Sequence, residues 1–166
     1  MIIDSHAHIF PPEVIASRSE FRAKDAWFSH LYRRPGARMH NAEDLIASLD
    51  RAEVDMAMVC GFCWGSVELA RMSNDYLLEA TQRYPRRLAA LVNAPLPWGG
   101  AALRELERCI LAGAKGIGEL MPDGQGFSLD DESLLAPLVE LALERKVSFL
   151  IHASEPVGHQ YAGKGS

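Results

Sequence analysis

The sequence predicts an α/β protein with a parallel sheet of about five strands and four interleaved helices. Three observations predict it: amphipathic segments alternate with short apolar runs, these runs recur every 27 to 33 residues, and loops rich in glycine or proline separate them. Near-continuous apolar strands between amphipathic helices are typical of a parallel sheet that helices cover. The pattern fits either an open, doubly wound sheet or part of a (β/α) barrel.

Each element follows from a local pattern. Ile2 and Ile3 begin a first strand, and apolar runs predict four more strands at residues 56–60, 88–92, 115–119 and 147–151. Apolar residues three and four apart predict helices over residues 42–53, 67–84, 101–112 and 131–145. Asn41 suits the N-cap of the first helix, and Gly113 suits the end of the third.

The interval between residues 11 and 40 shows no clean periodicity. It contains Trp27, Phe28, Tyr32 and several arginines. A long connection after a strand often forms a lid or a pocket wall. A surface helix with solvated arginines explains this composition equally well, so the sequence leaves both interpretations open.

Composition and charge exclude several classes of protein. Of the 166 residues, 48% are hydrophobic and 23% are charged, as in ordinary globular proteins. The net charge of −5 argues against nonspecific binding of nucleic acid. The chain has neither a secretory signal nor the roughly 20 continuous apolar residues of a membrane span. Its three cysteines suit reduced thiols, so we predict one cytoplasmic domain over residues 1–166.

The strongest chemical signal is a pair of histidines in the first strand, in Asp4-Ser5-His6-Ala7-His8. Residues two apart in a strand project to the same side, so His6 and His8 can bind one metal ion. Glu119 and His152 end two later strands, where the active-site crevice of parallel α/β folds lies. Three imidazoles and a carboxylate suit Zn²⁺ or a similar ion. We therefore predict these four residues as metal ligands, although each one alone has an ordinary structural explanation.

Three segments together resemble a known family. They are Asp4-Ser5-His6-Ala7-His8, Gly113-Ala114-Lys115-Gly116-Ile117-Gly118-Glu119-Leu120 and Phe149-Leu150-Ile151-His152-Ala153-Ser154-Glu155-Pro156. Over essentially the whole chain, the sequence resembles the metal-dependent hydrolases of the amidohydrolase superfamily. The nearest branch includes the decarboxylases that act on aminocarboxymuconate semialdehyde and on resorcylate. The resemblance implies a (β/α)₈ barrel, and therefore an incomplete TIM-type barrel for this chain.

The resemblance also implies a ligand set. It makes His6, His8 and His152 metal ligands, and Glu119 is similar to a glutamate of TatD-type hydrolases that bridges two metals. One or two divalent transition ions are therefore expected, with Zn²⁺ as the first choice and Mn²⁺ or Fe²⁺ as alternatives. The family's histidine after the sixth strand and its proton-transferring aspartate after the eighth have no matching position here. The catalytic residue is accordingly left unassigned, and the isolated chain is expected to lack part of the machinery.

The function implied by the resemblance is hydrolysis. A metal ion would activate a bound water against a small carboxylate, amide or lactone substrate. Three alternatives stay open: a decarboxylase of the same branch, a TatD-like nuclease, and a catalytically incomplete piece that binds metal or a partner.

Two further motifs resemble known sites. Residues 158–165 nearly spell a P-loop, but Gly165 stands where the required hydroxyl residue should be. We instead expect this loop to line the pocket, with His159, Tyr161 and Lys164 contacting a substrate carboxylate; a flexible tail is the alternative. Cys60-Gly61-Phe62-Cys63 is a C-x-x-C motif, but the surrounding pattern fits neither a thioredoxin-like site nor a zinc ribbon.

The length is short for the implied fold. A complete (β/α)₈ barrel takes roughly 250 residues. An arc of five strands would leave its first and fifth strands as unpaired edges and would expose apolar residues such as Ile117 and Leu150. We expect the front part of a longer protein; the alternatives are a homo-oligomer in which a second chain completes the barrel, or another mode of closure.

Overall fold

A single parallel sheet forms the centre of the computed structural model, which describes residues 1–34 and 36–152. Its strands are β1 (Ile3–His8), β2 (Met56–Cys60), β3 (Leu88–Val92), β4 (Gly116–Leu120) and β5 (Ser148–Ile151). They lie in the order β1-β2-β3-β4-β5, and every neighbouring pair is parallel. A doubly wound sheet reverses its order at a switch point. The consecutive order is instead that of an incomplete TIM-type barrel.

Helices connect the strands. In chain order they are α1 (Pro12–Ala16), α2 (Arg18–Lys24), α3 (Ala26–Leu31), α4 (Ala42–Arg51), α5 (Val67–Arg83), α6 (Gly100–Leu111), α7 (Pro122–Gln125) and α8 (Glu132–Arg145), with a 3-10 turn at Leu96–Trp98. The four predicted helices correspond to α4, α5, α6 and α8. The four shorter helices were not predicted. Within the described residues, no helix has the length and apolar character needed to cross a membrane.

Helix α4 begins at the predicted cap. The Asn41 side chain accepts a hydrogen bond from the backbone N–H of Asp44, and the Asp44 carboxylate accepts one from the N–H of Asn41. This reciprocal capping box satisfies two backbone donors that the helix cannot pair internally. It fixes where the chain turns from the first long connection into the helical layer.

The main core lies between the sheet and the long helices. Val59 and Val92 of the sheet pack with Leu77 of α5, Leu106 of α6 and Leu138 of α8, and all five side chains are buried. Full burial of such a side chain contributes about 1.5 to 3 kcal/mol. This core therefore holds the strand ends that carry the predicted ligands.

The expectation that Ile117 is exposed is wrong. Ile117 is 0% exposed because it belongs to the main core and lies on β4, which is paired on both sides. Leu150 is partly buried. The exposed apolar side chains of the sheet instead include Ile3, Phe149 and Ile151, on the two strands that pair on one side only within the described residues.

A second, aromatic cluster fills the connection between β1 and β2. The Phe28 ring lies 4.8 Å from the rings of both Tyr32 and Trp64, and the Phe62 ring meets it edge-on at 5.0 Å. Helices as short as α1 to α3 are marginal on their own, so these contacts stabilise them. The interval is therefore a packed wall rather than a solvated surface helix.

Asp25 ties this wall to the loop that follows β2. Its buried carboxylate accepts a hydrogen bond from the backbone N–H of Phe28 at 2.7 Å and another from Gly65 at 2.8 Å. The first bond caps the N-terminus of α3. The second connects this cap to the loop that follows β2.

A buried carboxylate joins α5 to α6. Glu105 is 0% exposed and accepts hydrogen bonds from Arg71, Asn74, Arg108 and Cys109. Asn74 also donates to the backbone carbonyl of Asn93, which directly follows β3. The network therefore connects two helices to a strand end.

We expect acid to destabilise the chain through Glu105. Burial raises the pKa of this carboxyl, but hydrogen bonds from Arg108, Asn74, Cys109 and Arg71 lower it more, to about 2. The unfolded chain then binds a proton that the folded chain does not. This contribution to stability is therefore present above the ordinary value of 4.5 and is lost as the pH falls towards about 2.

Urea unfolding between pH 6 and pH 2, compared with Glu105→Gln, measures this contribution. The free energy of unfolding of the variant should fall less steeply with acid. Equal slopes for the two proteins would contradict the prediction.

Candidate metal centre

Side chains from the C-terminal ends of three strands converge on a cavity of about 230 Å³. Its polar part consists of His6, His8, Glu119 and His152, which are the four ligands predicted from the sequence. Leu31, Tyr32, Phe62, Cys63 and Met121 line the rest. The fold therefore brings all four predicted ligands to the wall of one pocket.

Three of these side chains form a tight group of donor atoms. His6 Nε2 lies 3.0 Å from His8 Nε2, and Glu119 Oε2 lies 3.2 Å from His8 Nε2 and 3.6 Å from His6 Nε2. Two atoms that bind one ion at about 2.1 Å, with angles of about 90° to 120°, are separated by about 3.0 to 3.6 Å. The spacing therefore fits ligation of a single ion by His6, His8 and Glu119.

The orientation of His8 is set by the loop after β2. His8 pairs with Cys60 across β1 and β2, and its Nδ1 lies 3.1 Å from the Gly61 carbonyl oxygen. A carbonyl can only accept, so Nδ1 carries the proton. In the neutral imidazole, Nε2 then carries the lone pair, which is the tautomer that a metal ligand requires.

Glu119 is a buried carboxylate that faces imidazoles on two sides. Burial raises its pKa. Hydrogen bonds from His8 and His152, together with the charges of His8 and His6, lower the pKa by more than burial raises it, so it lies below the ordinary value. The group is therefore ionised. A buried carboxylate requires compensating positive charge, which a cation between Glu119 and the two histidines would supply.

His152 occupies a different position around the same carboxylate. Its Nδ1 lies 2.9 Å from Glu119 Oε1, whereas His6 and His8 lie nearest Oε2. Within the described part of the chain, the side chains whose possible metal-binding atoms all lie close to one another are His6, His8 and Glu119. His152 thus adjoins this group through the second carboxylate oxygen.

The predicted substrate-binding residues, His159, Tyr161 and Lys164, lie outside the described residues. The structure instead shows a wall formed by Leu31 and Tyr32 at the end of α3 with Phe62 and Met121. Leu31 and Tyr32 belong to the interval for which the sequence left a lid or pocket wall open, whereas Phe62 and Met121 had been assigned no role. The indole N–H of Trp27 donates to the sulfur of Met121, which connects α3 to the loop after β4. Phe62 and Met121 directly follow the ends of β2 and β4. That position in the sequence could have predicted that they line the pocket, because the active-site crevice lies at the ends of the strands.

Tyr32 adds a neutral hydroxyl to this wall. Burial raises its pKa to about 12, and the nearby Cys63 and Glu119 act in the same direction while Arg18 opposes them. Tyr32 therefore stays protonated and can donate a hydrogen bond to an anionic ligand.

Comparison with protein families identifies one match. The sequence model described as "Amidohydrolase" matches residues 3–164. Among curated proteins, the chain is 25% identical, over an alignment 181 positions long, to 2-amino-3-carboxymuconate-6-semialdehyde decarboxylase of Dictyostelium discoideum. That alignment covers 94% of this chain and 50% of the relative, so the chain spans about half the relative's length.

Solved structures share the same architecture. One is 5-carboxyvanillate decarboxylase from Novosphingobium aromaticivorans, with bound manganese and 3-methoxy-4-hydroxy-5-nitrobenzoic acid; its TM-score is 0.69 and its identity 22%, over 92% of this chain and 51% of that one. Another is 2,6-dihydroxybenzoate decarboxylase from Rhizobium, with a TM-score of 0.66 and 21% identity over 94% of this chain and 50% of that one. At these identities the similarity shows the fold.

Proposed function

Because the chain belongs to the amidohydrolase family, we propose that it carries the metal-binding part of a divalent-metal-dependent decarboxylase for a small, planar carboxylic acid. The observation that carries the proposal is the donor group of His6, His8 and Glu119 in a cavity with an aromatic wall. The curated relative and the two solved relatives described above are all named as decarboxylases, which favours this reaction over hydrolysis.

The donor group fits one divalent ion. His6, His8 and Glu119 would hold it, and His152 would lie beside it against the other oxygen of Glu119. Imidazole and carboxylate ligands suit Mn²⁺, Fe²⁺ and Zn²⁺, and the manganese in a solved relative makes Mn²⁺ the first ion to test. When bound, such an ion acts as a Lewis acid that draws electron density from a substrate oxygen.

The chain's own residues supply binding and exclusion of water. The rings of Tyr32 and Phe62, with Leu31, offer an apolar surface to the face of a planar acid, and the Tyr32 hydroxyl can donate to its oxygens. Decarboxylation converts a charged carboxylate into neutral CO₂, so a site that excludes water disfavours the reactant more than the product.

The reaction also needs a proton at the carbon that loses CO₂. The carbon–carbon bond breaks, its electron pair stays on the substrate carbon, and that carbon then takes up a proton. Glu119 is ionised and can only accept, so His152 holds a proton at Nδ1 in its contact with Glu119. Within the described cavity wall, this pair is therefore the group best suited to hold a proton near the substrate.

Hydrolysis is the second candidate, and Glu119 is the observation that favours it. An ionised carboxylate 3.2 Å from His8 Nε2 can accept a proton from an attacking water. The substrates would then be the small carboxylates, amides or lactones implied by the sequence resemblance.

We expect the Mn²⁺-loaded chain to release CO₂ from 2,6-dihydroxybenzoate slowly, because part of the family's machinery has no matching position here. Glu119→Gln should lower kcat/KM by at least about 10- to 100-fold. A coupled CO₂ assay, with chromatography of 1,3-dihydroxybenzene, measures both effects. Glu107→Gln is the matched control, because the side chain of this α6 residue is 41% exposed and pairs with Arg145 outside the cavity, so its replacement should leave the rate unchanged.

The other outcomes separate the alternatives. Hydrolysis of a lactone or amide panel without CO₂ release would favour the second candidate. Metal binding without either reaction would favour a catalytically incomplete piece. CO₂ release that Glu119→Gln leaves unchanged would contradict the assignment of Glu119.

A further inference from the structure

The C-x-x-C segment after β2 makes contacts to the metal centre that the proposed chemistry does not use. The Gly61 carbonyl accepts from His8 Nδ1 at 3.1 Å, and the Cys63 thiol donates to the backbone carbonyl of Glu119 at 3.1 Å. Between them, the Phe62 carbonyl accepts from the side chain of Asn93 at 3.2 Å. Three consecutive residues therefore contact two of the proposed ligands and the end of β3.

The segment cannot easily shift away from the site. A Cβ on Gly61 would collide with the hydroxyl of Ser73 on α5, so the backbone here lies directly against that helix. Cys63 is 2% exposed and lines the cavity beside Glu119. Its thiol is therefore a fixed group rather than a flexible one.

The Cys63 sulfur is the donor in its contact with Glu119, because a backbone carbonyl can only accept. Burial raises its pKa well above the ordinary value, and the negative charge of Glu119 and the neighbouring Cys60 and Asp25 act in the same direction. A protonated thiol is a weak donor, and the Glu119 carbonyl is an acceptor within its reach.

The Glu119 backbone lies where the regular ladder is interrupted. β4 pairs with β5 at Gly116, Ile117 and Leu120, with a shift in register between Ile117 and Leu120. Gly118 has a φ of +149°, and a Cβ there would lie 2.5 Å from the Leu150 carbonyl oxygen. The position of the Glu119 backbone therefore depends on contacts other than the regular pairing of β4 with β5.

We propose that Cys63 is a positioning residue that holds the Glu119 backbone so that its carboxylate meets His6 and His8. This inference rests on the proposed metal site. Partners that hold a ligand without touching the metal typically change metal affinity by 10- to 100-fold when they are removed, so the contribution of Cys63 is measurable.

The test compares three variants of the full chain by their Mn²⁺ dissociation constants, measured by electron paramagnetic resonance of free Mn²⁺. Cys63→Ala should weaken binding by about 10-fold or more, and Cys63→Ser, which keeps a donor, should recover most of that loss. Cys109→Ala is the control. It also removes a buried thiol that donates to a carboxylate, Glu105 on α6, and it should keep the wild-type affinity.

Melting temperatures of the metal-free variants separate positioning from packing. Cys63→Ala and Cys109→Ala should both lower the melting temperature, but only the first should lower the affinity. Equal affinities for wild type and Cys63→Ala, or equal losses in both alanine variants, would overturn the proposal.

Crystal structures keep this test independent of the proposed function. If the wild-type chain binds no Mn²⁺, the proposed function fails, and the positioning role is then judged by the distance between Glu119 Oε2 and His8 Nε2. That distance is 3.2 Å in the wild-type chain and should increase in Cys63→Ala. An unchanged distance would overturn the role of Cys63 regardless of the metal.

Discussion

Replacing His8 by alanine is expected to abolish tight Mn²⁺ binding, with a loss of more than about 100-fold in affinity, beyond what removal of an outer hydrogen-bond partner costs. His8 is the central donor, because its Nε2 lies 3.0 Å from His6 Nε2 and 3.2 Å from Glu119 Oε2. Without it, the two remaining donor atoms are 3.6 Å apart and no longer surround one position. Equilibrium dialysis with metal analysis measures the change.

His40→Ala is the matched control for this experiment. His40 is exposed and faces Asp44 at 3.7 Å, outside the cavity, so its loss should leave Mn²⁺ binding unchanged. The metal-free His8→Ala chain should also melt close to the wild-type temperature, because His8 is only partly buried. One tightly bound Mn²⁺ per chain in His8→Ala would disprove the proposed ligand set.

Glu105→Ala is expected to lower the free energy of unfolding by about 3 kcal/mol. The carboxylate is fully buried and accepts from two arginines, an asparagine and a cysteine, so its removal leaves several donors without their acceptor. The loss is largest at Asn74, because this side chain is buried and its amide nitrogen would donate to the Asn93 carbonyl but no longer to Glu105. Urea unfolding monitored by circular dichroism measures the loss.

Glu107→Ala isolates the effect of burial. Glu107 lies on the same helix and also pairs with an arginine, but the side chains of Glu107 and Arg145 are 41% and 36% exposed. Ion pairs at the surface contribute about 0 to 1 kcal/mol. Losses of similar size in the two variants would show that burial of Glu105 adds nothing to its ion pairs.

The regular elements were predictable because each has a strong local pattern. The spacing of apolar residues predicted the starts of α4, α5, α6 and α8 to within one residue of those observed. Asn41 caps α4, as expected. The shared side of the two histidines was predictable for the same reason, because residues two apart in a strand project to the same side. Local spacing alone places His6 and His8 together in β1.

Other features depend on contacts between distant parts of the chain. Helices α1 to α3 have no amphipathic period of sufficient length, and their stability comes from aromatic packing that includes Phe62 and Trp64 beyond β2. Cys63 donates to a carbonyl 56 residues away, and no spacing rule reports such a contact. Ile117 was misjudged because the pairing of β4 on both sides is a property of the whole sheet.

The separation of the two apolar clusters has an evolutionary consequence. Tyr32 and Phe62 of the cavity wall belong to the aromatic cluster, whereas the strands that carry the predicted ligands pack on the main core. A substitution of Tyr32 therefore alters packing in the aromatic cluster and does not change the side chains of the main core. The shape of the cavity wall near Tyr32 can therefore vary among related chains while the packing beneath the strands stays the same.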